Sequence, residues 1–368
     1  MAGIYVHIPF CKSRCIYCDF YSTTLANRQD RYVETLAKEL TLRSSYLHGE
    51  PIETIYIGGG TPSQLSHANI IRLFDALPHP ISGGEITFEC NPDDIDDKLV
   101  DTLRCVGVNR ISMGVQSFSD SRLKFLNRRH NSRQVKEAVR LLREKGISNI
   151  SIDLIFGFPG ESMEEWEDDI REALLLDVEH ISAYSLMFEE GTPLYRMLEK
   201  GVVKEIDENV SHGMYYLLID KLEEAGYEHY EISNFGKRGF ASRHNSSYWA
   251  DVPYLGIGAG AHSYDRTSRQ WNVADIDIYI NKVEKGEIPF TRETIDGKTR
   301  YNDMITTALR TRRGIDLEKC GEYKDYLQKN AHNAIDNGLL TIDDGFARLT
   351  REGLYVSDDV MSDLVFID

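Results

Sequence analysis

Ser132-Arg-Gln-Val-Lys-Glu-Ala-Val-Arg-Leu-Leu-Arg-Glu-Lys145-Gly146 lies between two runs of strand type, Arg110-Ile-Ser-Met-Gly-Val115 and Ile150-Ser-Ile-Asp-Leu-Ile-Phe156. The middle segment predicts a helix closed by Gly146, a residue suited to the turn that ends one. The flanking runs predict strands. The same unit recurs on both sides. Residues 4–8, 54–57, 85–90 and 180–187 read as further strands. Residues 27–44, 66–77, 95–106 and 163–176 read as helices, the first with Tyr32, Leu36, Leu40 and Leu42 near one face.

Strands that alternate with helices of this length predict a parallel α/β sheet. A complete eightfold barrel needs about 250 residues, and six units occupy fewer than about 200. The expected fold is therefore a partial (β/α)6 TIM-like barrel, with its chemistry at the C-terminal ends of the strands. Beyond Met187 the pattern changes. Residues 207–226 predict a long helix, 233–247 a loop, and 256–262 a Gly-rich run. From about residue 290 two helices (298–311 and 317–337) precede a hairpin around Asp343-Asp344-Gly345, in strands 338–342 and 346–349. That order resembles a winged helix, but without a basic recognition helix it predicts a structural or lid unit. The expected division is a barrel over 1–235, a connecting segment over 236–290 and a small unit over 291–368.

The chain has 368 residues, 42 Lys+Arg against 59 Asp+Glu, a net charge of −17 and six cysteines. Phosphate neutralisation needs clustered Lys and Arg, so this balance argues against a nucleic-acid partner and a polybasic membrane anchor. No stretch has the apolar length of a transmembrane helix. The N-terminus has neither the basic nor the apolar region of a signal peptide. A cytoplasmic location is expected, and there thiols stay reduced.

The cysteines then read as ligands, nucleophiles or core residues. Cys11-x3-Cys15-x2-Cys18 occupies a polar loop with Lys12, Ser13 and Arg14. Soft thiolates select Fe–S, zinc or Cu(I). A structural zinc wants four ligands, and no fourth stands at ligand spacing. Three thiolates on a four-iron cluster would leave one iron open for an exchangeable ligand. Cys90, Cys105 and Cys320 lie in strand or helix patterns and are expected to be core thiols.

The run Tyr5-x-His7-Ile8-Pro9-Phe10-Cys11-x3-Cys15-x-Tyr17-Cys18 resembles the signature of radical S-adenosylmethionine (SAM) proteins. Within them the chain is similar, over nearly its whole length, to the oxygen-independent coproporphyrinogen III oxidase family. The resemblance implies a [4Fe-4S] cluster on Cys11, Cys15 and Cys18, with SAM on the fourth iron. It also implies SAM contacts from Tyr5, Tyr17, Gly59, Gly60, Thr61, Glu89, Gln116, Arg128 and Asp153, and that family's small C-terminal domain. Two of these positions have independent chemistry. The Gly58-Gly59-Gly60 run lets backbone N–H groups approach a carboxylate. Asp153, an acid within an apolar strand, needs a partner.

Two departures from the oxidase pattern bear on activity. Phe20 stands where the oxidases carry a fourth cysteine, and the motif begins at residue 11 with no long arm before it. The segment Arg243-His244-Asn245-Ser246-Ser247-Tyr248-Trp249 instead resembles the hallmark of the family's heme-chaperone branch. That implies heme binding, with His244 as an axial imidazole and Tyr248 and Trp249 against the porphyrin. It also implies delivery to an acceptor protein, and an electron donor if SAM is cleaved. His262, in the Gly-rich run, is a second candidate imidazole. The alternative is a radical enzyme that oxidatively decarboxylates tetrapyrrole propionates. RNA modification is disfavoured by the acidic balance.

Overall fold

Six parallel strands form the centre of the computed structural model, which describes residues 1–367: β1 (Ala2–Ile8), β2 (Ile52–Gly59), β3 (Glu85–Cys90), β4 (Arg110–Gln116), β5 (Asn149–Phe156) and β6 (His180–Ser185). They lie side by side in chain order, with helices in the crossovers. Each strand alternates. One side chain set, including Ile4, Val6, Ile55, Ile57, Phe88, Ile111, Met113, Ile150, Ile152 and Ile181, is buried in the main core. The other set faces the barrel interior and is polar: Thr87, Arg110, Ser112, Ser151, His180 and Ser182 are all buried. Barrels of this type usually fill the interior with branched aliphatic residues. This one is polar along its bore.

Among the described residues the sheet has twelve strands and is not closed. Beyond β6 lie β7 (Glu228–Glu231) and β8 (Asn234–Gly236), with β8 antiparallel to β6. Beyond β1 lie β9 (Tyr254–Ile257), β10 (His262–Tyr264), β11 (Ser268–Asn272) and β12 (Phe290–Thr294). β9 is parallel to β1, and β10 to β12 run antiparallel. The loop expected over 233–247 instead supplies β8 and a helix, Arg243–Trp249. Ser242 caps that helix, and the Glu85 carboxylate accepts from the backbone N–H groups of Arg243 and His244 at 3.1 and 3.0 Å. An acid at a helix N-terminus satisfies donors that the helix cannot.

A second core gathers Tyr301, Ile305, Leu309, Leu327, Ala331, Val360 and Leu364. It joins the helices Gly297–Ala308, Lys324–Asp336 and Ser357–Leu364 to a three-stranded sheet of β13 (Ile315–Asp316), β14 (Leu340–Asp343) and β15 (Phe346–Leu349). The hairpin turns at Asp344 and Gly345, both with positive φ, as a tight Asp-Gly turn requires. Among the described residues no helix is long and apolar enough to cross a membrane.

Candidate functional site

The C-terminal ends of β1 to β5 open on a cavity of about 250 Å³. It is lined by Cys11, Cys15 and Cys18, and by Tyr5, Tyr17, Gly59, Gly60, Thr61, Glu89, Gln116, Arg128 and Asp153. Every residue expected at the cluster and SAM sites therefore meets in one space, although they come from separate units along the first 153 residues. Asn91, Ser112 and Phe20 line it too. A surface depression of about 410 Å³ lies elsewhere, but its charges are mutually paired. There Arg122 bridges Glu161, Glu165 and Asp169.

The cysteine loop is pinned by its backbone. Cys11 N–H donates to Thr23 O (2.9 Å), and Thr23 N–H to Pro9 O (2.7 Å). Ile16 N–H donates to Leu126 O, and the Asn127 side chain to Arg14 O. Among the described residues, no three His, Cys, Asp or Glu side chains converge on a point where one metal ion could sit. Thiols spaced along a loop suit a cluster, in which each binds a different iron. Burial pushes the Cys11 thiol up and that of Cys18 to about 11. Both need a cation to become thiolates. His7 is engaged elsewhere: its ring meets Tyr5 Oη at 3.1 Å and Tyr21 O at 2.9 Å.

The opposite wall fits a ligand that carries both an ammonium and a carboxylate. The Gly58–Gly60 run is tight because β2 ends against the cysteine loop. A Cβ on Gly60 would stand 3.0 Å from Cys11 Sγ and 2.9 Å from Pro9 O. At Gln116 the register against β5 slips by one residue, and its φ is +69°. Such a bulge re-aims a side chain, and here Gln116 lines the cavity. Arg128 donates to Asn91 Oδ1 (2.8 Å) and to Gly114 O, and its Nη1 lies 3.5 Å from Cys15 Sγ. Its buried Nε has no hydrogen-bond partner, so one donor remains for a carboxylate. Glu89 accepts from Tyr56 Oη at 2.8 Å and from Gly59 N–H at 3.1 Å. Burial nevertheless lifts its carboxyl to about 7, and Asp153 adds to the rise. Burial lifts Asp153 to about 6, opposed by Arg110. Two carboxyls held above their usual range await a positive charge.

The heme residues expected from the sequence lie at the other end of the barrel. His244 is fully buried beneath the N-terminal ends of β1 to β3. Its Nδ1 pairs with Thr54 Oγ1 (2.7 Å) and its Nε2 with Tyr248 Oη (2.9 Å), while its ring stacks on Tyr56. Burial and Arg110 depress its pKa to about 3. The expectation of an open loop is corrected: the segment is a helix, and both nitrogens of the His244 ring are hydrogen-bonded within the chain. Tyr248 packs edge-on against Tyr254, and Trp249 lies under the Arg310 guanidinium. Cys105 is also corrected. It ends the helix Asp97–Cys105 and is exposed, whereas Cys90 and Cys320 are buried.

Sequence reading missed Arg110 and Asn91. Arg110 is 1% exposed within the bore, and its Nε and Nη1 have no partner. The available signal was the polar half of each strand's alternation, Arg110/Ser112 and Ser151/Asp153, which a solvent-facing edge strand would also show.

Residues 5–173 match the family model of the radical SAM superfamily, and residues 295–356 match that of the HemN C-terminal domain. The chain is similar to the heme chaperone HemW of Bacillus subtilis (strain 168), at 35% identity over 98% of each chain. It is also similar to the heme chaperone HemW of Lactococcus lactis subsp. lactis (strain IL1403), at 35% identity over 99% of this chain and 97% of the other. Among solved structures, the coproporphyrinogen III oxidase HemN of Escherichia coli, a radical SAM enzyme, superposes with a TM-score of 0.86 over 99% of this chain and 90% of the other. At 22% identity that is a likeness of fold. With two relatives at 35% identity along its whole length and the cysteine loop of the superfamily at the mouth of its barrel, the chain belongs to the HemW family of radical SAM proteins.

Proposed function

We propose that the chain is a heme chaperone: it binds heme and passes it to an acceptor protein, and it carries a SAM-binding [4Fe-4S] cluster. The full-length likeness to HemW chaperones carries this reading. Cys11, Cys15 and Cys18 are the cluster ligands. Arg128 and the Gly59–Gly60 backbone hold the SAM carboxylate. Glu89, Gln116 and Asp153 hold its cationic and ribose groups, while Tyr5, Tyr17 and Thr61 wall the pocket. When bound, the cluster and SAM supply one-electron chemistry, and an external donor would feed it. The proposed compartment is the cytoplasm.

The second reading is tetrapyrrole oxidation, favoured by the shared fold with HemN. Against it stands Phe20, 67% exposed at the cavity mouth, where the oxidases carry a cysteine. One experiment separates the readings. The anaerobically reconstituted protein is titrated with hemin, then incubated with SAM, a reductant and coproporphyrinogen III. A saturable Soret band without decarboxylated product supports the chaperone. Substrate-dependent 5′-deoxyadenosine and product would establish the oxidase instead.

A further inference from the structure

We propose that the heme iron is held by His262, on the open side of the barrel, and not by His244. This rests on the heme-chaperone reading and names the ligand that reading requires. The two imidazoles singled out by the sequence differ sharply in the fold. His244 has both nitrogens bonded inside the protein. His262 is exposed, and neither of its ring nitrogens hydrogen-bonds to another described residue. Its imidazole is also kept below its ordinary pKa by partial burial and by Arg269, so a lone pair is available at neutral pH.

The surroundings suit a flat ring. Strand register sets Tyr56, Tyr5 and Gly256 in one row across β2, β1 and β9. The pairing of Tyr264 with Tyr254 continues the row to His262, which pairs with Trp271 on β11. Neighbours in register point to the same face, and Tyr5 points into the cluster cavity. The alternate residues point the other way: Ser263 and Gln270 bond Arg43, and Asn272 bonds Glu39. His262 and Trp271 thus share the cavity face, with ring centroids 6.1 Å apart and planes 24° from parallel. Between Tyr5 and His262 the row has no side chain at all. A Cβ on Gly256 would fall 1.8 Å from the His262 carbonyl oxygen, so only glycine is compatible with this approach of β9 and β10. The His262 backbone thus covers Gly256, which is buried, and the flat surface presented outward is the stacked His262–Trp271 pair, its imidazole without a hydrogen-bond partner among the described residues.

An exposed imidazole also suits a cargo that must leave. With one axial position on His262, the other face of the iron remains open to a ligand from the acceptor. Handover is then ligand exchange: the iron–imidazole bond breaks as an iron–acceptor bond forms. The imidazole keeps its electron pair, and no oxidant or reductant is consumed.

The test is hemin titration of the full, cluster-loaded chain as wild type, His262→Ala, His262→Tyr and His244→Ala. The expected result is a changed Soret spectrum and at least about tenfold weaker binding for His262→Ala, since even ligand-supporting groups contribute about that much. Added imidazole restores the wild-type spectrum, and His262→Tyr gives the spectrum of a phenolate-ligated heme. His244→Ala keeps the wild-type spectrum. An unaltered spectrum and affinity in His262→Ala and His262→Tyr would overturn the inference while leaving the chaperone reading intact. Failure of the wild type to bind heme would overturn both.

Discussion

Glu89 and Asp153 share a cavity wall, with carboxyl pKa values raised to about 7 and about 6 by burial. Each binds its proton more tightly in the folded chain than in the unfolded one. SAM-free protein should therefore lose stability as pH rises from about 4 to about 7, by an amount of the order of 1 kcal/mol per pH unit. SAM, with its sulfonium and ammonium, prefers the ionised pair. Its affinity should rise across the same window and level off above it. Calorimetric titrations at pH 5.5 and pH 8 check this, and equal affinities would remove both carboxylates from the SAM site. Asp153 was legible in the sequence as an acid within an apolar strand, and Glu89 through the family resemblance. Arg128 rested mainly on resemblance, because its partners Asn91 and Cys15 are 37 and 113 residues distant. The burial of His244 was not legible: Thr54 and Glu85, which hold it, lie 190 and 159 residues away.

At the scale of elements, the six parallel strands were readable because six to eight residues suffice to display alternation. β8 and β10 have three residues each, β7 and β9 four. Segments so short, set among glycines, display no period. Their position comes from docking onto strands already in place. The helix Arg243–Trp249 depends in the same way on a distant acid, Glu85, which is 6% exposed. Glu85→Ala leaves two backbone N–H groups without their acceptor. The expected loss is about 1–3 kcal/mol, read from urea denaturation, with the cluster absorbance unchanged. A stability change within error would mean that water replaces the carboxylate.

Among the described residues of the whole molecule there are three hydrophobic cores, and the cysteine loop packs only against the smallest (Leu126, Ile155, Phe158, Leu186 and Leu194), through Ile16 and Tyr17. Removing the cluster by anaerobic chelation should therefore leave far-ultraviolet circular dichroism and the unfolding midpoint nearly unchanged. Limited proteolysis should quicken only within residues 11–23. Global unfolding on iron removal would instead make the cluster a folding element, as zinc is in small metal-bound domains. The C-terminal unit touches the barrel through an isolated bridge between Glu231 and Thr311, through Arg310 over Trp249, and through Arg351 with Asp220. These contacts join segments that lie far apart in the chain, and no local pattern announces them.

The polar bore has a bearing on protein engineering. Thr87 is fully buried within it, and its hydroxyl has no partner. Thr87→Val keeps the shape and deletes the orphan, so a gain of about 1 kcal/mol is expected, measurable as a higher melting temperature. Stabilising changes of this kind should abound along the inner face of the barrel and be scarce on the outer one. A thermostability screen would then preferentially erase the polar character of the bore, because a buried polar group without a partner costs the fold stability.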